Sequence, residues 1–178
     1  MITYKEYCKT VKEDWGKTSP IPKEVYDFPE DPLKSMNWID LGLPSGTLWA
    51  DANLANPDDK NGLWSWDDVM ESEYAPLVPT KEQMQELVDY CDWEWDNERA
   101  GMVVKNKYGK KIFLPAVGYK HSQNDKLFDV GEYCGLWSST DHPSDFSAFN
   151  LFFRPSRYGV SRSSGTLRFS IRLVKNKT

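Results

Sequence analysis

The spacing of apolar residues along this chain changes several times, and each change marks an element. Near the start, Tyr4, Tyr7, Cys8, Val11 and Trp15 recur at i, i+3, i+4, i+7 intervals. Thr3 and Glu6 sit at a capping-box separation and Gly16 supplies a stop, so a short amphipathic helix is predicted over residues 2–16. A helix of that length is marginal alone and needs something to dock on. Pro20, Pro22, Pro29 and Pro32 follow. Proline at this density denies both helix and interior strand, so residues up to 36 are predicted to form an extended arm.

From Asn37 onward the pattern is that of a mixed domain. Trp38–Leu43 and Thr47–Asp51 read as short strands around the turn residues Pro44-Ser45-Gly46. LWSWDDVMESE holds one or two helical turns. The best helix runs from Thr80 to about Tyr90: Thr80 and Gln83 form a capping box, and Met84, Leu87, Val88 and Cys91 mark its buried face. Trp93 and Trp95, alternating with acids, read as core packing. MVVKNKYGKKIFLPAVGY reads as a hairpin around Tyr108-Gly109, followed by a polar loop over His121 to Lys126. The last strand candidates lie near Ala148–Arg154, Gly159–Arg162 and Leu167–Val174. Ala148, Leu151 and Phe153 alternate imperfectly, which predicts a bulge near Asn150.

The block from Gly135 to Val174 interleaves two kinds of residue. Trp137, Ala148, Leu151, Phe153, Val160, Phe169, Ile171 and Val174 are apolar and evenly placed. Between them stand Asp141, His142, Asp145, Asn150, Arg154, Arg157, Tyr158 and Arg162, which share no simple property. A regular scaffold carrying irregular contact residues suits recognition more than catalysis, so no catalytic residues are expected. Three cysteines, Cys8, Cys91 and Cys134, are widely spaced and accompanied by only two histidines. That is neither a metal pattern nor a disulfide framework. Buried, reduced thiols are the favoured reading, with a Cys91–Cys134 bridge as the alternative, and no cofactor or metal is expected.

Composition adds a charge asymmetry and removes some classes. Residues 1–100 hold 9 Lys and Arg against 22 Asp and Glu, whereas residues 101–178 hold 13 against 5, within a net charge of −5. The basic arginines Arg154, Arg157, Arg162 and Arg168 have no recognised nucleic-acid module around them, so no nucleic acid is expected as a partner. No apolar run approaches the roughly 20 residues of a membrane span. The start, MITYKEYCKT, carries no apolar segment of the secretory type.

Five ordered blocks resemble a known family: IDLGLPSGTLWA, PTKEQMQELVDYCDWEW, IFLPAVGY, VGEYCGLWSST and FSIRLV. Their order is similar to that of the Fibrobacter succinogenes major paralogous domain, within the C-type lectin-like superfamily. The resemblance spans about Trp38 to Val174. It implies an α+β, C-type lectin-like fold with two helices, small antiparallel sheets and long loops on one side. Residues 1–36 would form an N-terminal helix and arm for attachment or oligomerisation, and residues 37–178 the ligand-binding domain. Relatives include the variable proteins of diversity-generating retroelements, whose changeable residues lie in the final block. By position, that implies Asp141, His142, Ser144, Asp145, Phe146, Asn150, Phe152, Arg154, Arg157, Tyr158, Ser161, Arg162, Ser163 and Ser164 as ligand-binding residues.

Departures from the family pattern are specific. Asp51 and NLAN stand where a Cys and a Val-Gly-Ala run often occur, and the usual GDYFAWGE-like insertion is shortened to NGLWSW. The Glu-Pro-Asn and Trp-Asn-Asp motifs of calcium-dependent sugar binders are missing, as is the terminal cysteine pair of the formylglycine-generating enzymes. The expectation is therefore a non-enzymatic binding protein: a phage virion component, made in the host cytoplasm, that recognises a host-surface glycan or protein. Residues 1–36 would then contact another virion protein or a second copy. A structural capsid or tail decoration, or a bacterial C-type lectin-like binding protein, is the alternative.

Overall fold

The computed structural model describes residues 31–143 and 145–177. The predicted N-terminal helix and nearly all of the predicted arm fall outside them. From Pro32 onward the chain belongs to one compact unit. Its first element departs from the extended arm expected there: Pro32–Ser35 is a single helical turn, α1, with proline at the first position, where its missing N–H costs nothing. Leu33 and Met36 pack against the interior from this turn.

Among the described residues the architecture is mostly small antiparallel sheets with few helices, compatible with an α+β class. The first sheet joins the two ends of the unit. β1 (Trp38–Asp40) and β2 (Thr47–Ala50) form the expected hairpin, and β13 (Val174–Asn176) pairs with the other edge of β2. Gly46 donates to the Leu43 carbonyl at 2.9 Å and takes φ +72, so Pro44-Ser45-Gly46 turns as its composition predicts. The hairpin is pinned to the main helix, because Glu86 accepts from both the backbone and the hydroxyl of Ser45.

The second half of the scaffold is helical at its entry. β3 (Trp64–Ser65) leads into α2 (Trp66–Glu71), capped by the Ser65 hydroxyl. α3 (Lys81–Tyr90) has the capping box read from the sequence: the Thr80 side chain accepts from Gln83 N, and the Gln83 side chain accepts from Thr80 N. It buries Met84 and Leu87 completely against Leu151 and Phe153 of the C-terminal block. Each such side chain contributes about 1.5–3 kcal/mol by leaving water.

A three-stranded sheet follows, of β4 (Asp92–Asp96), β5 (Gly101–Lys105) and β6 (Lys111–Pro115). The β5–β6 hairpin matches the sequence, and its Gly109 takes φ +84. The polar loop expected over His121–Lys126 is instead most of a hairpin, β7 (Tyr119–His121) and β8 (Asn124–Phe128). Its polarity reflects an exposed outer strand: Asn124, Asp125 and Lys126 all face solvent. Aromatic contacts between Tyr119, Phe128 and Tyr133 hold it from the inside. Gly118 makes the approach possible, since a Cβ there would lie 2.1 Å from the Phe128 carbonyl oxygen.

The C-terminal block supplies the last sheet, of order β11-β10-β9, from β9 (Cys134–Asp141), β10 (Ser147–Arg154) and β11 (Arg157–Ser164). The single strand expected over Leu167–Val174 is two. β12 (Leu167–Phe169) pairs with β3 and β7, and β13 crosses to the terminal sheet. Arg172 stands in the crossing and is fully buried. Its guanidinium donates to Asn53 Oδ1 at 2.8 Å, to the Ala50 carbonyl at 3.1 Å and to the Phe113 carbonyl at 2.7 Å. Cys91 and Cys134 are free buried thiols, and burial pushes the Cys91 thiol to about 11 and the Cys134 thiol to about 12.

Candidate ligand-binding surface

The register of β10 and β11 decides which candidate residues share a surface. Directly opposed residues project to the same side of a sheet. Phe153, Leu151, Phe149 and Ser147 therefore share one face with Tyr158, Val160, Arg162 and Ser164. Arg154, Phe152, Asn150 and Ala148 share the other with Arg157, Gly159, Ser161 and Ser163. The first face lies against α3 and the second against Trp137 and Phe169 at one end, open at the other. The ligand-binding residues implied by the resemblance thus do not form one continuous patch.

The predicted irregularity near Asn150 is present, and it builds the most concentrated cluster. Pairing of β10 with β9 shifts between Ala148, opposite Asp141, and Asn150, opposite Trp137. The extra residues on β9 are tied to the entry of α3 instead of to β10. Ser139 N donates to the Pro79 carbonyl at 2.8 Å, and Lys81 N donates to Thr140 Oγ1 at 3.1 Å. Trp66 Nε1 bonds the Ser138 carbonyl at 2.8 Å. A bulge bends its strand and re-aims the side chains beyond it, so this one sets the direction in which the chain leaves the sheet at Asp141.

Between β9 and β10, beyond this bulge, stand His142, Asp145 and Phe146. His142 Nδ1 lies 3.4 Å from Asp145 Oδ1, and Arg162 Nη1 lies 3.8 Å from Asp145 Oδ2. The Ser147 hydroxyl donates to the same carboxylate. That hydroxyl, then Arg162 and His142, holds the Asp145 carboxyl below its ordinary range. Phe146 is 59% exposed and lies over Gly165, where a Cβ would fall 2.6 Å from its ring. His142, Asp145, Phe146, Ser147 and Gly165, together with Trp66, Asp67 and Asp141, line a recess of about 140 Å³, with Arg162 outside its lining. Lys81 stands 4.6 Å above the ring of Phe149, which faces the same side as Arg162.

The structure therefore brings Asp141, His142, Asp145, Phe146 and Arg162 together. It adds Trp66, Asp67, Lys81, Phe149 and Gly165, which sequence reading did not include. Ser164 sits at the adjoining turn, bonded to Thr166. Tyr158 is separate: it stacks parallel on Trp93 at 4.5 Å, so the core role read for Trp93 extends to supporting a surface ring. Ser144 lies outside the described residues.

The opposite face carries Phe152, Arg154, Arg157, Ser161 and Ser163. Arg157 lies over the Phe152 ring, and Arg154 pairs with Asp129 at 2.9 Å and covers Tyr133. Asn150 does not belong to any surface, because it is fully buried. Its amide donates to Ser163 Oγ at 2.7 Å while Oδ1 has no partner.

A larger recess of about 360 Å³ lies between residues 53–62 and Val117. At its base Asp59 pairs with buried Lys120 at 2.9 Å. The second Asp59 oxygen has no hydrogen bond and is sealed from solvent, so it offers a ligand no accessible group. Among the described residues, no group of three or more His, Cys, Asp or Glu side chains is arranged to hold a metal ion, and no helix is long and apolar enough to cross a membrane.

What the cluster around Asp145 can do follows from its parts. Asp145 is ionised and tied to three partners, which fixes orientation and makes it a poor proton acceptor. Phe146 offers apolar area, and Arg162 and His142 offer hydrogen bonds at its edge. That is the chemistry of contact with a polar surface. Comparison with family models, with curated proteins and with solved structures returns no match for this chain.

Proposed function

We propose that this chain is a non-enzymatic ligand-binding protein with a C-type lectin-like fold. In this reading it is a phage virion component that contacts a host-surface glycan or protein through its C-terminal block. The observation that carries the reading is the division of labour along β10 and β11. Leu151 and Phe153 are fully buried, whereas Arg154, Arg157, Tyr158, Ser161 and Arg162 on the same two strands are exposed. Side chains of unlike chemistry stand on a backbone held by buried ones, so the surface residues can change without the scaffold changing.

The fold part of the proposal draws support from the meeting of both ends of the unit in the β1-β2-β13 sheet. The five ordered sequence blocks support it as well. Attachment to the particle, or to sister chains, falls in this reading to residues 1–36.

The test is to sequence the gene and its flanks from many independent isolates. The expected result is variation concentrated at adenines in codons for exposed residues such as Asp141, Phe146, Tyr158 and Arg162. Virion genes, a reverse transcriptase and a near-copy of the terminal block should lie nearby. Virion neighbours with an invariant block would point to a decoration protein. Metabolic neighbours without phage genes would overturn the virion assignment.

A further inference from the structure

The tip of the β5–β6 hairpin carries a one-sided patch of positive charge. Between residues 100 and 124 the sequence holds five lysines and no Asp or Glu, in a chain of net charge −5. Four of those lysines, Lys105, Lys107, Lys110 and Lys111, surround Tyr108, which is 77% exposed. Lys105 and Lys111 are directly opposed across the hairpin, an arrangement that costs stability through like-charge repulsion. Lys105 is partly neutralised by Glu94 at 3.2 Å. Lys107, Lys110 and Lys111 form no ion pair with a described residue. Lys110 also acts electrostatically on Asp40, which is already paired with Lys177 at 2.8 Å.

This charged tip is held rigidly. Asn106 is buried beneath it, and its Oδ1 accepts from Tyr108 N at 3.0 Å and Lys110 N at 2.9 Å. Its amide donates to the Leu41 carbonyl at 3.1 Å, anchoring the turn to the terminal sheet. The Lys107 ammonium stands 5.0 Å from the centre of the exposed Tyr108 ring. A local conflict of like charges, kept on a preorganised turn with an exposed aromatic, marks a contact site better than a solvated loop.

We propose that this finger binds an acidic polysaccharide, with Tyr108 stacking on the apolar face of a sugar ring and Lys107, Lys110 and Lys111 pairing with carboxylates along the chain. Ammonium groups are unoriented point charges and suit carboxylates at variable spacing. Nucleic acid fits less well. Three unpaired lysines replace few counterions, and residues 105–111 hold no arginine, whose planar fork is what suits phosphate oxygens. The site is separate from the C-terminal surface, and neither reading depends on the other.

The experiment measures binding of the full chain to polygalacturonate, to neutral dextran and to an oligo-dT of matched charge number. The expected result is salt-sensitive binding to polygalacturonate and none to dextran. The triple variant K107Q/K110Q/K111Q should bind at least about tenfold more weakly at low salt, with a flatter salt dependence. Tyr108→Ala should weaken binding several-fold with the salt dependence unchanged. Melting temperatures of both variants should equal or exceed that of the parent, since repulsion at the tip is relieved or untouched. Absence of polygalacturonate binding overturns the proposal. So does unchanged binding in the triple variant, an unaffected Tyr108→Ala, or tighter binding to oligo-dT.

Discussion

Arg172 shows how a charged residue can belong to the scaffold. It is the only arginine among the fully buried residues of the described chain, and each of its three guanidinium nitrogens donates, to Asn53, Ala50 and Phe113. Burial lowers its pKa to about 10, so it stays cationic at neutral pH. Arg172→Met fills most of the volume but strands three acceptors, each costing about 1–3 kcal/mol when buried without a donor. The expected loss is at least about 3 kcal/mol, measured by urea denaturation. Arg172→Lys should not restore it, because one ammonium cannot span the fork that a guanidinium fills. Recovery of parental stability by lysine would show that charge, not fork geometry, holds the crossing. Nothing in the spacing of FSIRLV distinguishes this arginine from Arg168, whose guanidinium reaches the Ser122 carbonyl at the surface.

At the level of elements, legibility tracks how local the deciding interactions are. The α3 cap is readable because Thr80 and Gln83 satisfy each other within one turn. The β5–β6 hairpin is readable because Gly109 and flanking β-branched residues sit within a few positions. β7 and β8 are not, since what stabilises their polar outer strand is aromatic packing from Tyr133 and Phe169 elsewhere in the chain. The site shows the same division. Imperfect alternation at Ala148–Phe153 locates the bulge, but its anchoring on Pro79 and Lys81 is a contact between distant segments. Thr80, the helix cap, lies between the two residues that make these contacts. Thr80→Ala should cost about 1 kcal/mol of stability through the lost cap. Thr80→Ser, which keeps the hydroxyl, should cost much less. Equal losses in a thermal melt would mean that the threonine methyl, not the cap, is what matters.

Across the whole molecule, surface chemistry and scaffold are expected to be energetically separable. Exposed substitutions away from caps, turns and ion pairs usually change stability by less than about 0.5 kcal/mol each. Asp141, Phe146, Arg157 and Ser161 are all exposed. Phe146 also shields Gly165, and Arg157 covers Phe152, so their replacement carries most of whatever cost there is. A variant changing all four to alanine should lose no more than about 2 kcal/mol. That is a fall of roughly 4–8 °C in melting temperature for a unit of this size. Leu151→Ala alone removes a side chain with no exposure, from the interface of β10 with α3. It should cost about 2–5 kcal/mol, depending on how far the site collapses. Differential scanning calorimetry on the two variants decides the matter. If four surface changes destabilise more than the single core change, the exposed residues are part of what folds the sheet, and a surface free to vary is not what this block provides. If the order is as expected, the chain can exchange its contact chemistry while α3 and the β9–β10–β11 sheet stay in place, which is the physical requirement of the binding role proposed for it.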